Sequence, residues 1–339
     1  MPDFLALDFM RQALFAALLV GIAAPLVGVF LVQRRLSLIG DGLGHVSLAG
    51  VAIGILTGSA PVLTALVLAA LAAVAIELIR VRGRTSGDIA LAVMFYGGIA
   101  LGVVLISMST ASSPANLTAY LFGAILTTSA SDLQVFALLA VVVLAVTVTL
   151  RPRLFAVAND EEYARATGLP VTALNLTLAI LTAVTVVVSM RVVGLLLISA
   201  LMIIPNASAQ VLASSFRSSV RWAVLIGVLA SIGGVVGSFY AGTPSGGTIV
   251  LVAIAIFLVA TGGAALRTRF RARRHRRAEA HEHEHGPGCG HPSVPHGDHV
   301  DYVHDGHRHA PHGGHWDEHA DPSLPTPDPD RATATQGEG

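Results

Sequence analysis

The feature that most constrains this chain is where its charges are not. Several stretches of about 18–22 residues carry no Asp, Glu or Arg. A hydrocarbon layer about 30 Å thick needs about 20 apolar residues of α-helix to cross it. Strands of a membrane barrel would run about 10 residues with strict alternation of apolar and polar positions, and no such alternation occurs. The expected fold is therefore all-α and integral to a membrane, a polytopic bundle of about 8–9 transmembrane helices. Composition agrees: 12% of the 339 residues are charged, about half the share usual in a soluble domain.

Apolar segments fall at about 12–32, 41–57, 61–79, 88–108, 133–150, 171–189, 193–212, 222–240 and 247–266. The seventh is interrupted by Pro205 and Asn206, which membrane helices tolerate where neighbours satisfy the freed backbone. The first run exceeds the 7–15 residue core of a cleaved leader and is preceded by Asp3 and Asp8, so it reads as a retained span. Two regions follow: a membrane domain over 1–270 and an Arg- then His-rich tail over 271–339. From about Ala278 onward Gly, Pro, His and acids dominate. Such a composition buries too little surface to offset its ordering entropy, so the tail is expected to be disordered.

Arginine sets the orientation, because positively charged loops stay in the cytoplasm. With the N-terminus outside, the inner loops collect Arg34, Arg35, Arg80, Arg82, Arg84, Arg151, Arg153, Arg165, Arg217 and Arg221, and the outer ones only Arg11 and Arg191. The flank from Arg267 to Arg277 then places the C-terminus in the cytoplasm. The chain has no lysine, and a phosphate-binding loop of the Walker type requires one. Any ATP hydrolysis that drives this protein belongs to another chain. Cys289 is the only cysteine, so no intrachain disulfide forms.

Three places carry candidate chemistry. Asp41 and His45 are four apart at the start of the second span, on one helix face. Ionisable groups in a membrane helix are functional by default, and a carboxylate with an imidazole can ligate a divalent ion. The alternative is an Asp41 N-cap with His45 bonded to a carbonyl. Around them Gly40 and Gly44, then Gly50 and Gly54, form small faces on which helices pack closely.

The second place is 159–168, between spans. It reads as a short complete helix: Asn159 as cap, Glu162 as its capping-box partner, Gly168 as left-handed stop and Pro170 beyond. So short a helix needs something to pack against, either an external subunit or its own bundle. The third place is the tail. His281, His283, His285, His291, His296, His299, His304, His307, His309, His312, His315 and His319 fall within it. Imidazole is the commonest transition-metal ligand, and uneven spacing points to several loosely held ions of the zinc or nickel kind.

Three stretches together carry a resemblance: Arg34-Arg35-Leu36-Ser37-Leu38-Ile39-Gly40-Asp41-Gly42-Leu43-Gly44-His45; Asp160 through Gly168; and Val193 through Ala207. Over roughly residues 9–266 the chain resembles the permease subunits of zinc/manganese-type ABC importers, departing from their usual pattern at Asn206. The resemblance implies that Asp41 and His45 contact metal in the translocation path. It implies that Asp160, Glu161, Glu162, Tyr163, Ala164, Arg165 and Gly168 couple to an ATPase. The expected partners are cytoplasmic ATP-binding subunits, an extracytoplasmic metal-binding protein, a second permease copy and membrane lipid, with no nucleic acid. The chain itself would be no enzyme and would hold no permanent cofactor; its cargo would be Zn2+, with Mn2+ or iron as alternatives. A proton-coupled secondary transporter would need more buried ligands than this one pair. A permease for an iron chelate or vitamin would have no use for the pair, and nine spans exceed what a membrane metal sensor needs.

Overall fold

The structure, a computed structural model, describes residues 6–82, 87–108, 120–123, 130–195, 197–278, 290–296, 299–304, 307–312 and 315–319. Its helices are α1 (Asp8–Gln33), α2 (Ile39–Thr57), α3 (Pro61–Arg82), α4 (Gly87–Ser107), α5 (Ala130–Thr149), α6 (Arg151–Asn159), α7 (Glu161–Ala166), α8 (Val171–Val193), α9 (Ile198–Leu212), α10 (Phe216–Ala241) and α11 (Ser245–Ala278). Among the described residues seven helices are long and apolar enough to cross a membrane, and α5 with α6, bent by 70°, adds an eighth when the pair is counted as one broken span. The polytopic all-α bundle expected from run length is what forms.

The segment 193–212, expected to be a span of its own, is different. Helix α8 runs through Val193, and the chain then turns at Gly194 with φ of 92°. What remains is α9, 15 residues long. At 1.5 Å per residue it reaches about 22 Å, short of the hydrocarbon layer. The break has a packing cause. A Cβ on Gly194 would lie 2.5 Å from the Leu121 carbonyl oxygen, and the Leu195 amide donates to the Tyr120 carbonyl at 2.9 Å. Residues 120–123 cross the chain here, and only glycine admits them.

Burial sorts the helices. Most of α1 and of the first two-thirds of α2 is buried. On α3 the stripe Leu63, Val67 and Leu71 is exposed by about 60% at each position, at the spacing of one helix face. A large apolar stripe open to the surroundings is what lipid selects and water does not. Small residues fill the contacts inside. A Cβ on Gly28 of α1 would stand 1.9 Å from the Met202 carbonyl oxygen of α9. Next to it, buried Asn206 donates from Nδ2 to the carbonyls of Pro25 at 3.0 Å and Met202 at 2.7 Å.

The turn from α1 to α2 is tight. Leu36 donates its amide to Leu31 at 2.9 Å, and Arg35 adopts the left-handed conformation with φ of 58°. That is the Schellman ending usually given to glycine. It sets Arg34 at the helix end, against the bundle.

The chain divides into two compact units, Met1–Gly262 and Gly263–Gly339. In the second, described residues beyond Ala278 form four short strands, β1 (Ser293–His296), β2 (His299–His304), β3 (His307–His312) and β4 (His315–His319). They pair antiparallel in the order β1-β2-β3-β4.

Candidate ion path and coupling helix

Asp41 lies in the first turn of α2 and His45 one turn on. The Asp41 carboxylate accepts a hydrogen bond from the Ser199 hydroxyl in the first turn of α9. His45 meets the Phe95 ring edge-on, with centroids 4.3 Å apart. Its Nδ1 is buried and has no hydrogen-bond partner. A Cβ on Gly98 of α4 would come within 2.8 Å of the His45 backbone, so glycine there lets α4 press directly on the residue. Around this pair no third His, Cys, Asp or Glu side chain completes a group among the described residues. The pair stands as a pair, its carboxylate held by a hydroxyl and its imidazole left with a free nitrogen. The Asp41 cap considered as the alternative is not formed, since no side chain caps α2, and His45 Nδ1 reaches no carbonyl.

The second site is built around α7. Asp160 caps the helix, its carboxylate accepting from the Tyr163 amide at 2.9 Å. The cap expected at Asn159 is displaced by one residue because Asn159 closes α6. Gly168 takes the left-handed conformation with φ of 80°, and the Leu169 amide returns to the Ala164 carbonyl at 3.1 Å. Ala164 is fully buried against the bundle, while Tyr163 is 66% exposed. Asp160, Glu162, Arg165 and Gly168 are exposed as well. The helix therefore has one face on its own protein and one open.

Glu161 is the tie between the two. Its carboxylate receives Arg34 at 2.9 Å, Arg80 of α3 at 3.2 Å and Arg165 of its own helix at 3.1 Å. Arg34 also donates to Asn175 of α8 at 2.6 Å, and Arg80 reaches buried Glu77 at 3.4 Å. Burial and the neighbouring Arg80 push the Arg34 guanidinium below its ordinary pKa, while Glu161 and Glu77 pull it back up. A desolvated cation beside a second cation needs its carboxylates. This cluster joins the α1–α2 turn, the end of α3 and the start of α8 to α7. Beside it a cavity of about 110 Å³ is lined by Arg35, Ser37, Ile39, Glu77, Arg80 and Leu91 among others.

Sequence reasoning named Asp41, His45 and the residues of α7 but missed Ser199, Phe95, Gly98, Arg34, Arg80 and Asn175. Arg34 and Arg80 were read as topology signals, and Arg34 also as part of a motif, but neither as a partner of Glu161. Nothing local in the sequence shows that they share one carboxylate.

Residues 6–263 match the model of the ABC 3 transport family. The chain belongs to that family. A manganese transport system membrane protein, MntC, from Halalkalibacterium halodurans is 32% identical over 76% of this chain and 87% of its own length. A high-affinity zinc uptake system membrane protein, ZnuB, from Haemophilus influenzae is 32% identical over 74% of this chain and 97% of its own. Among solved structures, PsaBC from Streptococcus pneumoniae, determined in complex with Fab, matches with a TM-score of 0.69 and 31% identity, over 76% of this chain and 94% of that one. As an ABC 3 member, the chain is a membrane subunit of a transporter, and the resemblance read from its three motifs holds. The match ends at residue 263, so the family model does not extend over the histidine tail.

Proposed function

We propose that this chain is the permease subunit of an ABC-type importer for a divalent transition metal, zinc first, in a bacterial cytoplasmic membrane. The observation that carries the reading is the Asp41–His45 pair, one turn apart inside the bundle, with a buried imidazole nitrogen that no protein group satisfies. Relatives named for zinc and manganese transport support it. Imidazole favours zinc. Manganese is the second reading, favoured by the Ser199 hydroxyl on Asp41, which makes the surroundings of the carboxylate richer in oxygen.

In this reading two copies flank the path, an extracytoplasmic protein delivers the ion, and two ATPase subunits dock on the exposed face of α7. With the N-terminus outside and α9 read as a short ninth crossing, the arginine-rich ends and the C-terminus face the cytoplasm. Closure of the ATPases displaces α7, and Glu161 carries the displacement through Arg34 into the turn that leads to Asp41. Two protein ligands hold an ion weakly enough to release it. The membrane domain over 1–270 carries transport; the tail over 271–339 binds metal on the inside.

The test is uptake of radiolabelled zinc and manganese in cells lacking the native gene. Asp41→Ala and His45→Ala should each reduce uptake to background while the ATPase still co-purifies. Undiminished uptake in either variant removes that residue from the path.

A further inference from the structure

Counted from one histidine to the next, the tail looks uneven. Counted another way it repeats. His296-Gly297-Asp298-His299, His304-Asp305-Gly306-His307 and His312-Gly313-Gly314-His315 begin eight residues apart. Each encloses two residues drawn from Gly and Asp, the composition of a two-residue hairpin connection. The strands pair to match, with His296 opposite His299, His304 opposite His307 and His312 opposite His315.

Register then sorts these residues by face. Positions two apart on a strand share a face, and directly opposed positions share it too. His296, His299 and Asp301 fall on one face, and His312, His315 and Asp317 form the equivalent set. Val303 lies opposite Arg308, which places both sets on the same face of the sheet. Continued along β2 and β3, the same one-to-one register brings position 299 level with position 312. Positions 296, 299, 312 and 315 therefore form one row across all four strands, about 14 Å long at the usual strand spacing. His304 and His307 belong to the other face. At the first set the side chains add a second observation. The His299 Nε2 lies 3.3 Å from the Asp301 carboxylate, and Asp301 is fully buried.

We infer that this face of the tail is a transition-metal site of the zinc class, made of two His-His-Asp sets. Directly opposed residues have Cβ atoms about 4.5–5.5 Å apart, a separation that one ion with zinc–nitrogen distances of about 2.0–2.1 Å spans. Two imidazoles and a carboxylate are a familiar zinc ligand set that leaves a fourth position to water. Each ion links two strands across a hairpin, so binding and ordering of the sheet are coupled. The inference rests on the proposed function only for the identity of the metal on offer, and its test does not involve transport.

The experiment titrates the purified full-length chain in detergent with zinc, by equilibrium dialysis against a competing chelator, and repeats the titration with Co2+ to read its absorption. Replacing His296, His299, His312 and His315 with alanine should remove about two tightly held zinc ions per chain and the tetrahedral Co2+ bands. Replacing the same number of tail histidines elsewhere, His281, His283, His285 and His291, should leave both intact. The double variant Asp41→Ala/His45→Ala should keep the tail ions, which separates failure of this inference from failure of the transport reading. Equal loss in the two four-histidine variants means that composition alone binds metal, and the row is then no site.

Discussion

At the scale of single residues, this bundle is held by what is small. Gly28 lets the Met202 carbonyl approach to where a Cβ would stand. Gly28→Ala has to push α9 away from α1, at a cost of about 1–3 kcal/mol. The expected outcome is a lower unfolding midpoint of the detergent-purified chain; an unchanged midpoint shows that α9 is not pressed there. Asn206 works the other way, by adding a polar contact. Its amide joins Pro25 to Met202, and hydrogen bonds between membrane helices contribute about 0.6 kcal/mol on average. Asn206→Ala should therefore lower the midpoint less than Gly28→Ala does, and the reverse order contradicts this account of the α1–α9 contact. The departure noted at Asn206 in the sequence is thus a contact, not a defect.

At the scale of elements, α7 is two turns at most and cannot stand by itself. Its stability comes from the Asp160 cap, buried Ala164 and the three arginines on Glu161. Asp160→Ala should loosen the helix by about 1 kcal/mol, read as faster hydrogen exchange at Tyr163 and Ala164 than elsewhere; uniform exchange denies the cap its role. Glu161→Gln keeps the shape and removes the charge that Arg34 and Arg80 face. Part of Glu161 is open to water, so the expected loss of stability is about 2 kcal/mol, below that of a fully buried pair. The sharper readout is coupling: ATP hydrolysis by the assembled transporter should continue while metal moved per ATP falls. If that ratio holds, Glu161 only fastens the helix. The long-range half of this cluster was not legible beforehand, since Arg34 and Arg80 lie 127 and 81 residues from Glu161 in the chain. The helix itself was legible, because caps and stops are local; only the cap moved, from Asn159 to Asp160, when α6 claimed Asn159.

At the scale of the whole molecule, run length did most of the work. Spans appear in sequence because lipid punishes every charge along about 30 Å, and that signal survives without knowledge of any contact. It fails where a contact decides, as at Gly194, where residues 120–123 cut a long apolar run into the end of α8 and a short α9. The tail shows the opposite failure. Its eight-residue period is present in the sequence, yet steps of three and five alternate along it, and the regularity emerges only once strands are paired. The arginine distribution makes a prediction at this scale. In a Cys289→Ser background, single cysteines at Arg153 and Arg269 should be labelled by an impermeant maleimide only after cells are opened, and one at Arg191 before. Labelling of Arg269→Cys from outside reverses the proposed orientation.

The packing around α2 bears on how an ion can be let through at all. A Cβ on Gly50 would meet the Ala65 backbone of α3 at 2.5 Å, one on Gly42 would meet Leu91 of α4 at 2.9 Å, and one on Gly44 would meet the Leu195 carbonyl at 3.3 Å. Helix α2 is thus a spindle gripped from three directions, with no slack in which to bend or roll. In the proposed path past Asp41 and His45, a push arriving through the α1–α2 turn therefore shifts α2 together with the helices that grip it, post and jambs as one.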